Sequence, residues 1–358
     1  MKIVADENIP LVDYYFGAQG TLLLKPGRLI VRDDLLDADL LLVRSVTSVN
    51  AALLADTAVK FVASATTGAD HLDTAWLDAA GIAWYVAEGC NRAAVVDYVI
   101  AVVASLQKTQ HLPIKNPRVG IVGVGGIGAQ VAEVLAALGF AVVLCDPYRA
   151  QNEADFPGVA LADLADCDLI TLHTPLSHDG AYPTYHMIDK TFLLQQKAGA
   201  VLLNTGRGAV INFADLKQFG TRLHWCLDVW EHEPTIDLAV LQQTVIATPH
   251  IAGYSVQAKY RGIAMLYQAA LQRGLIRDTA LAPVPFPRMT MATTAPEDWR
   301  DIVLAVYDPV QTTRLMQQVL QRDPQAFDAL RKNFQQRHEL DFVDWAAAPV
   351  AGGDNLRV

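Results

Sequence analysis

Arg118 to Gly128 reads RVGIVGVGGIG, and the fold follows from how this stretch divides. Val119, Ile121, Val122 and Val124 interleave with Gly120 and Gly123 as in a buried parallel strand, and Gly123 to Gly128 then spell G-x-G-x-x-G. Gly123 permits a tight turn, Gly125 lets backbone approach a pyrophosphate, and Gly128 lets the next helix sit close to the sheet. That helix is expected to open at Ile127, with Val131, Val134, Leu135 and Leu138 on one face and Gly139 as its stop. Its free N–H groups and dipole would aim at phosphate oxygens. Ala141 to Cys145 reads as a second strand ending at Asp146, 18 residues beyond Gly128, where a carboxylate can accept both ribose hydroxyls of an adenosine. Gly123, Gly125, Gly126, Ile127, Gly128 and Asp146 are therefore candidate dinucleotide-binding residues.

The surrounding chain is large enough to bury its own core. At 358 residues with 52% hydrophobic and 18% charged content, two to three globular domains are expected. A net charge of −10 with no basic cluster argues against nucleic acid or anionic membrane as partners, so an anionic substrate would need locally placed arginines and backbone N–H groups. Cys90, Cys145, Cys167 and Cys226 form no C-x-x-C or zinc spacing and read as reduced thiols of a cytoplasmic protein; no metal site is expected. MKIVADENIP begins directly as a short strand and resembles no targeting peptide.

Upstream of the glycine stretch, Lys2 to Ala5, Leu22 to Leu24, Leu40 to Val43, Lys60 to Ala65 and Ile82 to Val86 are strand candidates joined by helical segments, a first open α/β unit. Two strand ends carry polar punctuation, Arg44-Ser45 and Thr66-Thr67-Gly68, where open α/β sheets hold ligands. A long, largely buried helix is expected over Asn91 to Gln107. Beyond Asp146, strands are expected at Asp168 to Leu172, Ala200 to Leu203, His224 to Leu227 and Val245 to Ala247, completing a six-stranded doubly wound sheet. A helix over Gln257 to Arg273 is expected to cross back to the first unit. The prolines of Ala280 to Pro287 mark a linker. After it, strands are expected at Met289 to Thr293, Asp301 to Tyr307 and Leu340 to Val343, and helices near Val310 to Gln321 and Pro324 to Gln335. So small a module, with an apolar DIVLAVY, points to a partner subunit completing its burial.

Three strand ends of the second unit carry reactive groups: NTGRG at Asn204 to Gly208, DVWEHEP at Asp228 to Pro234, and TPHIAG at Thr248 to Gly253. On one parallel sheet, Arg207, Glu233 and His250 would converge on its carboxyl edge. A neutral imidazole can accept the proton of a secondary alcohol as hydride leaves, a carboxylate on its other nitrogen would fix the tautomer, and a guanidinium can clamp a carboxylate. Asp228 and Glu231 compete with Glu233 for the role of partner, and His232 competes with His250. His173 reads as a structural histidine, with Thr174 near the cofactor.

The nucleotide motif with Asp146, then HTP, NTGRG, DVWEHEP and TPHIAG in that order, resembles the D-isomer-specific 2-hydroxyacid dehydrogenases. The resemblance implies an NAD-dependent enzyme with Arg207, Glu233 and His250 as its catalytic set. It also implies a doubly wound parallel-sheet (Rossmann) NAD domain, residues 93–257, inserted into a flavodoxin-like substrate domain, residues 1–92 and 258–282. ADENIP, VRSVT, ATTGADHLD, GCN, HIAGYS and YDP narrow the match to one branch, covering nearly the whole chain. That branch implies Ser45, Thr66 and Tyr254 at substrate-binding positions, and Asp146, Thr174, Asp228 and Gly253 at NAD-binding positions. It further implies a small α+β C-terminal domain, residues 286–358, that makes a homodimer, and a small phosphorylated 2-hydroxy acid as substrate. Arg44 with Ser45 are then candidates for the distal phosphate, and Arg207 with the N–H groups of Thr66, Thr67 and Gly68 for the acid group. Asp146 disfavours the extra phosphate of NADP, although Arg149 lies close by. A sibling enzyme for phosphoglycerate, glyoxylate or another 2-hydroxy acid, and a non-catalytic NAD-sensing scaffold, are the rival readings.

Overall fold

The computed structural model describes residues 1–334 and 337–346. The end of the expected helix at Gln335 and the closing AGGDNLRV lie outside them. The chain forms two compact units, Met1–Ala93 with Tyr254–Arg288, and Ala94–Gly253 with the described residues from Met289 onward.

The first unit is built on Lys2–Asp6 (β1), Thr21–Lys25 (β2), Leu40–Val43 (β3), Phe61–Ser64 (β4) and Ala83–Val86 (β5), all parallel in the order β2-β1-β3-β4-β5. This is the flavodoxin-like order, which reverses between β1 and β3. Every residue of LLLV in β3 and FVAS in β4 is buried, as central strands covered on both faces require, while β2 and β5 at the edges are only partly covered. Alternation divides the core. Ile3, Leu40, Leu42 and Phe61 face the returning helix Val256–Gln272 through Ile263, Leu266 and Tyr267, and Val4, Leu41, Val43 and Val62 face Leu35, Leu54 and Leu77. The proline-rich linker has no regular structure, but Tyr14 Oη donates to Ala282 O and Gln257 Nε2 to Pro287 O, both at 2.6 Å.

The second unit carries Arg118–Val122 (β6), Ala141–Cys145 (β7), Leu169–Leu172 (β8), Val201–Asn204 (β9), His224–Leu227 (β10) and Thr244–Ala247 (β11), again all parallel. The order is β11-β10-β9-β8-β6-β7, so the connectivity reverses at β6 and β8, beside the glycine turn. The helix Arg92–Lys108 is buried almost throughout from Ala94 to Gln107.

The C-terminal segment corrects two expectations: Leu340–Phe342 is a 3-10 turn, so the strand expected over Leu340 to Val343 begins only at Val343. Asp301 to Tyr307 is no strand: Trp299–Val306 is a helix, capped by Asp298, which accepts Arg300 N–H at 2.9 Å. Its β-branched content suits a strand, but the cap and the spacing of Ile302, Val303 and Val306 suit a helix. Val343–Trp345 (β13) pairs in parallel with Met289–Met291 (β12). The helix Pro309–Arg322 buries Met316 and Leu320 in the core of the second unit, as Phe327 does from the following helix. Thr313 Oγ1 accepts the N–H of Ala247 at 3.0 Å, satisfying a group on the edge strand β11. Those later helices are thus covered by the second unit, whereas Ile302, Leu304 and Val306 of Trp299–Val306 stay only partly buried.

Candidate active site

The glycine turn is set by direct backbone packing. Gly123 has φ +83°, and a Cβ there would lie 2.8 Å from Thr174 Cγ2. A Cβ on Gly128 would lie 2.0 Å from Gly123 O, so only hydrogen fits where the helix Gly126–Ala137 leaves the turn. A Cβ on Gly125 would meet nothing within 4 Å among the described residues. Open space at Gly125, with Gly126 and Ile127 opening the helix, suits backbone approach by a phosphate.

Two further observations bear on a dinucleotide. Thr174 Oγ1 is buried with no hydrogen-bond partner among the described residues, and such a group calls for a ligand or water. Asp146 Oδ2 accepts Val124 N–H at 2.9 Å and Oδ1 accepts Arg149 N–H at 3.1 Å, capping the helix Pro147–Asn152. A carboxylate has about four acceptor positions, so two remain for ribose hydroxyls. Arg149, the residue that left the phosphate preference open, is engaged elsewhere. Nε and Nη2 bind Glu153 at 2.8 and 2.5 Å, and Nη1 donates to Val124 O at 3.0 Å. The residues present therefore fit an unphosphorylated adenosine ribose.

The three reactive loops are tied together by backbone. A Cβ on Gly208 would lie 2.0 Å from Trp230 C, so the loop carrying Arg207 abuts the loop carrying Glu233. Asn204 shapes the Arg207 loop, accepting Gly206 N–H at 3.0 Å and donating to Arg207 O at 2.8 Å. Arg207 Nη1 donates to Gly206 O at 3.0 Å. Trp230 Nε1 reaches across to Thr248 O at 2.9 Å.

Among the competing carboxylates, each has a different occupation. Glu233 Oε2 lies 2.7 Å from His250 Nδ1, while its Oε1 accepts Trp230 N–H at 2.9 Å. Burial works to raise the Glu233 pKa, but the His250 charge and hydrogen bond and the Trp230 N–H outweigh it, and the carboxyl stays below its usual value. An ionised carboxylate only accepts, so His250 Nδ1 carries the hydrogen, and in the neutral ring Nε2 is then the acceptor. His250 holds φ +56°, a strained backbone for a non-glycine residue, secured by its N–H bond to Asp228 O at 2.7 Å.

Glu231 is held by His186 Nε2 at 2.6 Å, and His232 forms a turn at φ +63° whose carbonyl accepts Thr235 N–H. Asp228, 1% exposed, accepts Thr248 Oγ1 at 2.6 Å, Ile251 N–H at 2.8 Å and Ala252 N–H at 2.9 Å. Its carboxylate thus shapes the loop from His250 to Gly253; burial raises its pKa against these bonds. His173 is locked between Thr171 Oγ1 and Thr205 Oγ1 at 3.0 and 3.1 Å, and burial lowers its pKa to about 4, leaving it neutral.

A residue not anticipated from sequence supports the same loop. Arg337, 5% exposed, donates through Nη2 to Ala252 O at 2.6 Å and to Ala94 O at 2.9 Å, joining the two points where the chain enters and leaves the second unit. Only a motif-free arginine in an irregular tail marks it in the sequence.

In the first unit, Arg44 and Thr66 to Gly68 follow the neighbouring strands β3 and β4. Arg44 Nε donates to the fully buried Asp6 at 2.9 Å, bridging the ends of β1 and β3 where the strand order reverses. Ser45 is exposed. Thr66 Oγ1 lies 2.9 Å from Ser64 Oγ, Thr67 Oγ1 donates to Asn91 Oδ1 at 2.8 Å, and Gly68 has φ +90°. Tyr254 lies next to Lys259, whose Nζ is 5.7 Å from the ring centre.

Residues 95–252 match the family of the D-isomer specific 2-hydroxyacid dehydrogenase, NAD binding domain. An erythronate-4-phosphate dehydrogenase of Coxiella burnetii is 46% identical over 98% of this chain and 96% of its own length. The chain belongs to the erythronate-4-phosphate dehydrogenase branch of the D-isomer specific 2-hydroxyacid dehydrogenases. A second member of this branch, from Azotobacter vinelandii, is 43% identical over 95% of this chain and 93% of its own length. The fold recurs in the TT0316 protein of Thermus thermophilus, with a TM-score of 0.66 and 22% identity, covering 76% of this chain and 97% of that one. It recurs also in an NAD-bound 3-phosphoglycerate dehydrogenase of Entamoeba histolytica, with a TM-score of 0.64 and 20% identity, covering 80% of this chain and 99% of that one.

Proposed function

We propose that the chain oxidises 4-phospho-D-erythronate to (R)-3-hydroxy-2-oxo-4-phosphooxybutanoate, with NAD as cofactor, as a cytoplasmic homodimeric enzyme of pyridoxal 5′-phosphate (vitamin B6) biosynthesis. The observation that carries the reading is a His250–Glu233 pair at 2.7 Å in a chain similar over nearly its whole length to erythronate-4-phosphate dehydrogenases. NAD, when bound, supplies the two-electron acceptor, held by Gly123 to Gly128, Asp146, Thr174, Asp228 and Gly253. His250 Nε2 takes the C2 hydroxyl proton, and Glu233 balances the imidazolium that forms. Arg207 holds the C1 carboxylate, a planar acceptor that suits a guanidinium fork. Arg44, Ser45 and Tyr254 hold the phosphorylated end. Residues 286–358 supply the dimer contact, and among the described residues no helix is long and apolar enough to cross a membrane.

One panel tests this: initial NADH formation with 4-phosphoerythronate, unphosphorylated erythronate and 3-phosphoglycerate, with sedimentation at the assay concentration. A clear preference for 4-phosphoerythronate by a dimer is expected. Equal rates with erythronate would reject the substrate, and a monomer would reject the assembly.

A further inference from the structure

We propose that Lys259 is a phosphate-binding residue of the first unit, acting with Arg44 on the distal phosphate monoester of the substrate. The assignment rests on the phosphorylated substrate proposed above and adds a residue to it.

Lys259 lies in the first turn of the helix Val256–Gln272, whose cap Ser255 accepts Ala258 N–H at 2.8 Å. The helix meets the sheet closely there: a Cβ on Gly262 would lie 2.7 Å from Ala65 O. Lys259 is three residues before Gly262, on the same helix face and one turn nearer the N-terminus. Ala65 leads directly into Thr66, and its N–H donates to Val43 O at 2.9 Å, so Arg44 follows in the adjacent strand. Lys259 and Arg44 thus border the same strand ends as Ser45 and Thr66.

The charges are arranged for an anion. Arg44 is balanced by buried Asp6 through Nε, and among the described residues its two terminal nitrogens make no hydrogen bond. Lys259 is half-buried and forms no ion pair among the described residues. Three effects oppose its charge: burial, the neighbouring Arg44, and the positive end of its own helix. The first two hold its pKa below the ordinary lysine value. An arriving phosphate dianion offsets all three at once. A lysine kept only for packing has no use for that arrangement, and a methionine of similar length would fill the same space.

The test compares wild type with Lys259→Met and Lys259→Arg, using 4-phosphoerythronate and unphosphorylated erythronate, with inorganic phosphate as a competitive inhibitor. Lys259→Met should lower the phosphorylated-to-unphosphorylated ratio of kcat/KM by roughly 10- to 100-fold, the worth of a charge-assisted contact. It should also raise the phosphate inhibition constant, while the rate with erythronate and NAD binding hold. Lys259→Arg should recover part of the ratio. An unchanged ratio in Lys259→Met overturns the assignment alone, as does an equal loss with both substrates, which marks a structural role. Indifference of the wild-type chain to the phosphate overturns the substrate reading and this assignment with it.

Discussion

Glu233→Gln is nearly isosteric, and the geometry says why it should still be severe. The Gln side chain must face Trp230 N–H on one side and His250 Nδ1 on the other, where Glu233 now accepts at 2.9 Å and 2.7 Å. With its oxygen towards Trp230, its NH2 group faces His250, Nδ1 must become the acceptor, and the proton moves to Nε2, where no base function is left. The flipped amide restores the tautomer but sets two donors against each other at Trp230, at about 1–3 kcal/mol. Even in that orientation the imidazolium loses its charged partner, about 1.5–3 kcal/mol more. Together these correspond to a fall in kcat of roughly 10²- to 10⁴-fold. The assay is NADH formation at saturating substrate, with NAD affinity followed by tryptophan fluorescence and expected to hold. Glu231→Gln serves as the control, because Glu231 is engaged by His186 at 2.6 Å and should cost little turnover. A Glu233→Gln enzyme within about fivefold of wild type would refute the tautomer argument.

Two further outcomes follow from particular contacts. Burial, assisted by Glu339 and Asp341, pushes the Asp97 carboxyl up to about 7, although Leu340 N–H donates to it at 2.8 Å. Between an unfolded value of about 3.9 and that folded value the native state holds the extra proton, so Asp97 makes stability fall as pH rises from about 4 to about 7. The full gap is worth about 4 kcal/mol, a ceiling because Asp97 keeps part of its surface in water. Asp97→Asn should flatten that slope and raise the melting temperature at pH 8; parallel pH profiles of the two proteins in denaturant melts would disprove it. Gly128→Ala places a methyl group 2.0 Å from Gly123 O, a backbone atom that cannot yield without moving the turn. NAD affinity should drop at least about tenfold, checked by calorimetry, and unchanged affinity would contradict the packing role given to Gly128.

Much of the architecture was legible because its signals are local. Central parallel strands are continuous apolar runs, LLLV and FVAS in one sheet, LITL and VLLN in the other, and all of those residues are buried. The failure at Asp301 to Tyr307 has the converse cause: a short apolar run is compatible with either period, and the Asp298 cap together with packing decided for helix. Arg337 and Lys259 escaped notice because neither belongs to a motif; each matters through neighbours distant in sequence.

By itself the sequence determined that RVGIVGVGGIG is a strand, a glycine turn and a helix, that an acid follows one strand later, and that an arginine, three acids and two histidines stand at successive strand ends. Those are properties of spacing and of glycine stereochemistry, which act over a few residues. Which acid serves His250 was decided only by the tertiary structure. Glu231 is claimed by His186, 45 residues upstream, Asp228 by the N–H groups of Ile251 and Ala252, and Glu233 alone is left oriented on Nδ1. A hydrogen bond is a competition among all groups within about 3 Å, and only the folded chain sets who competes.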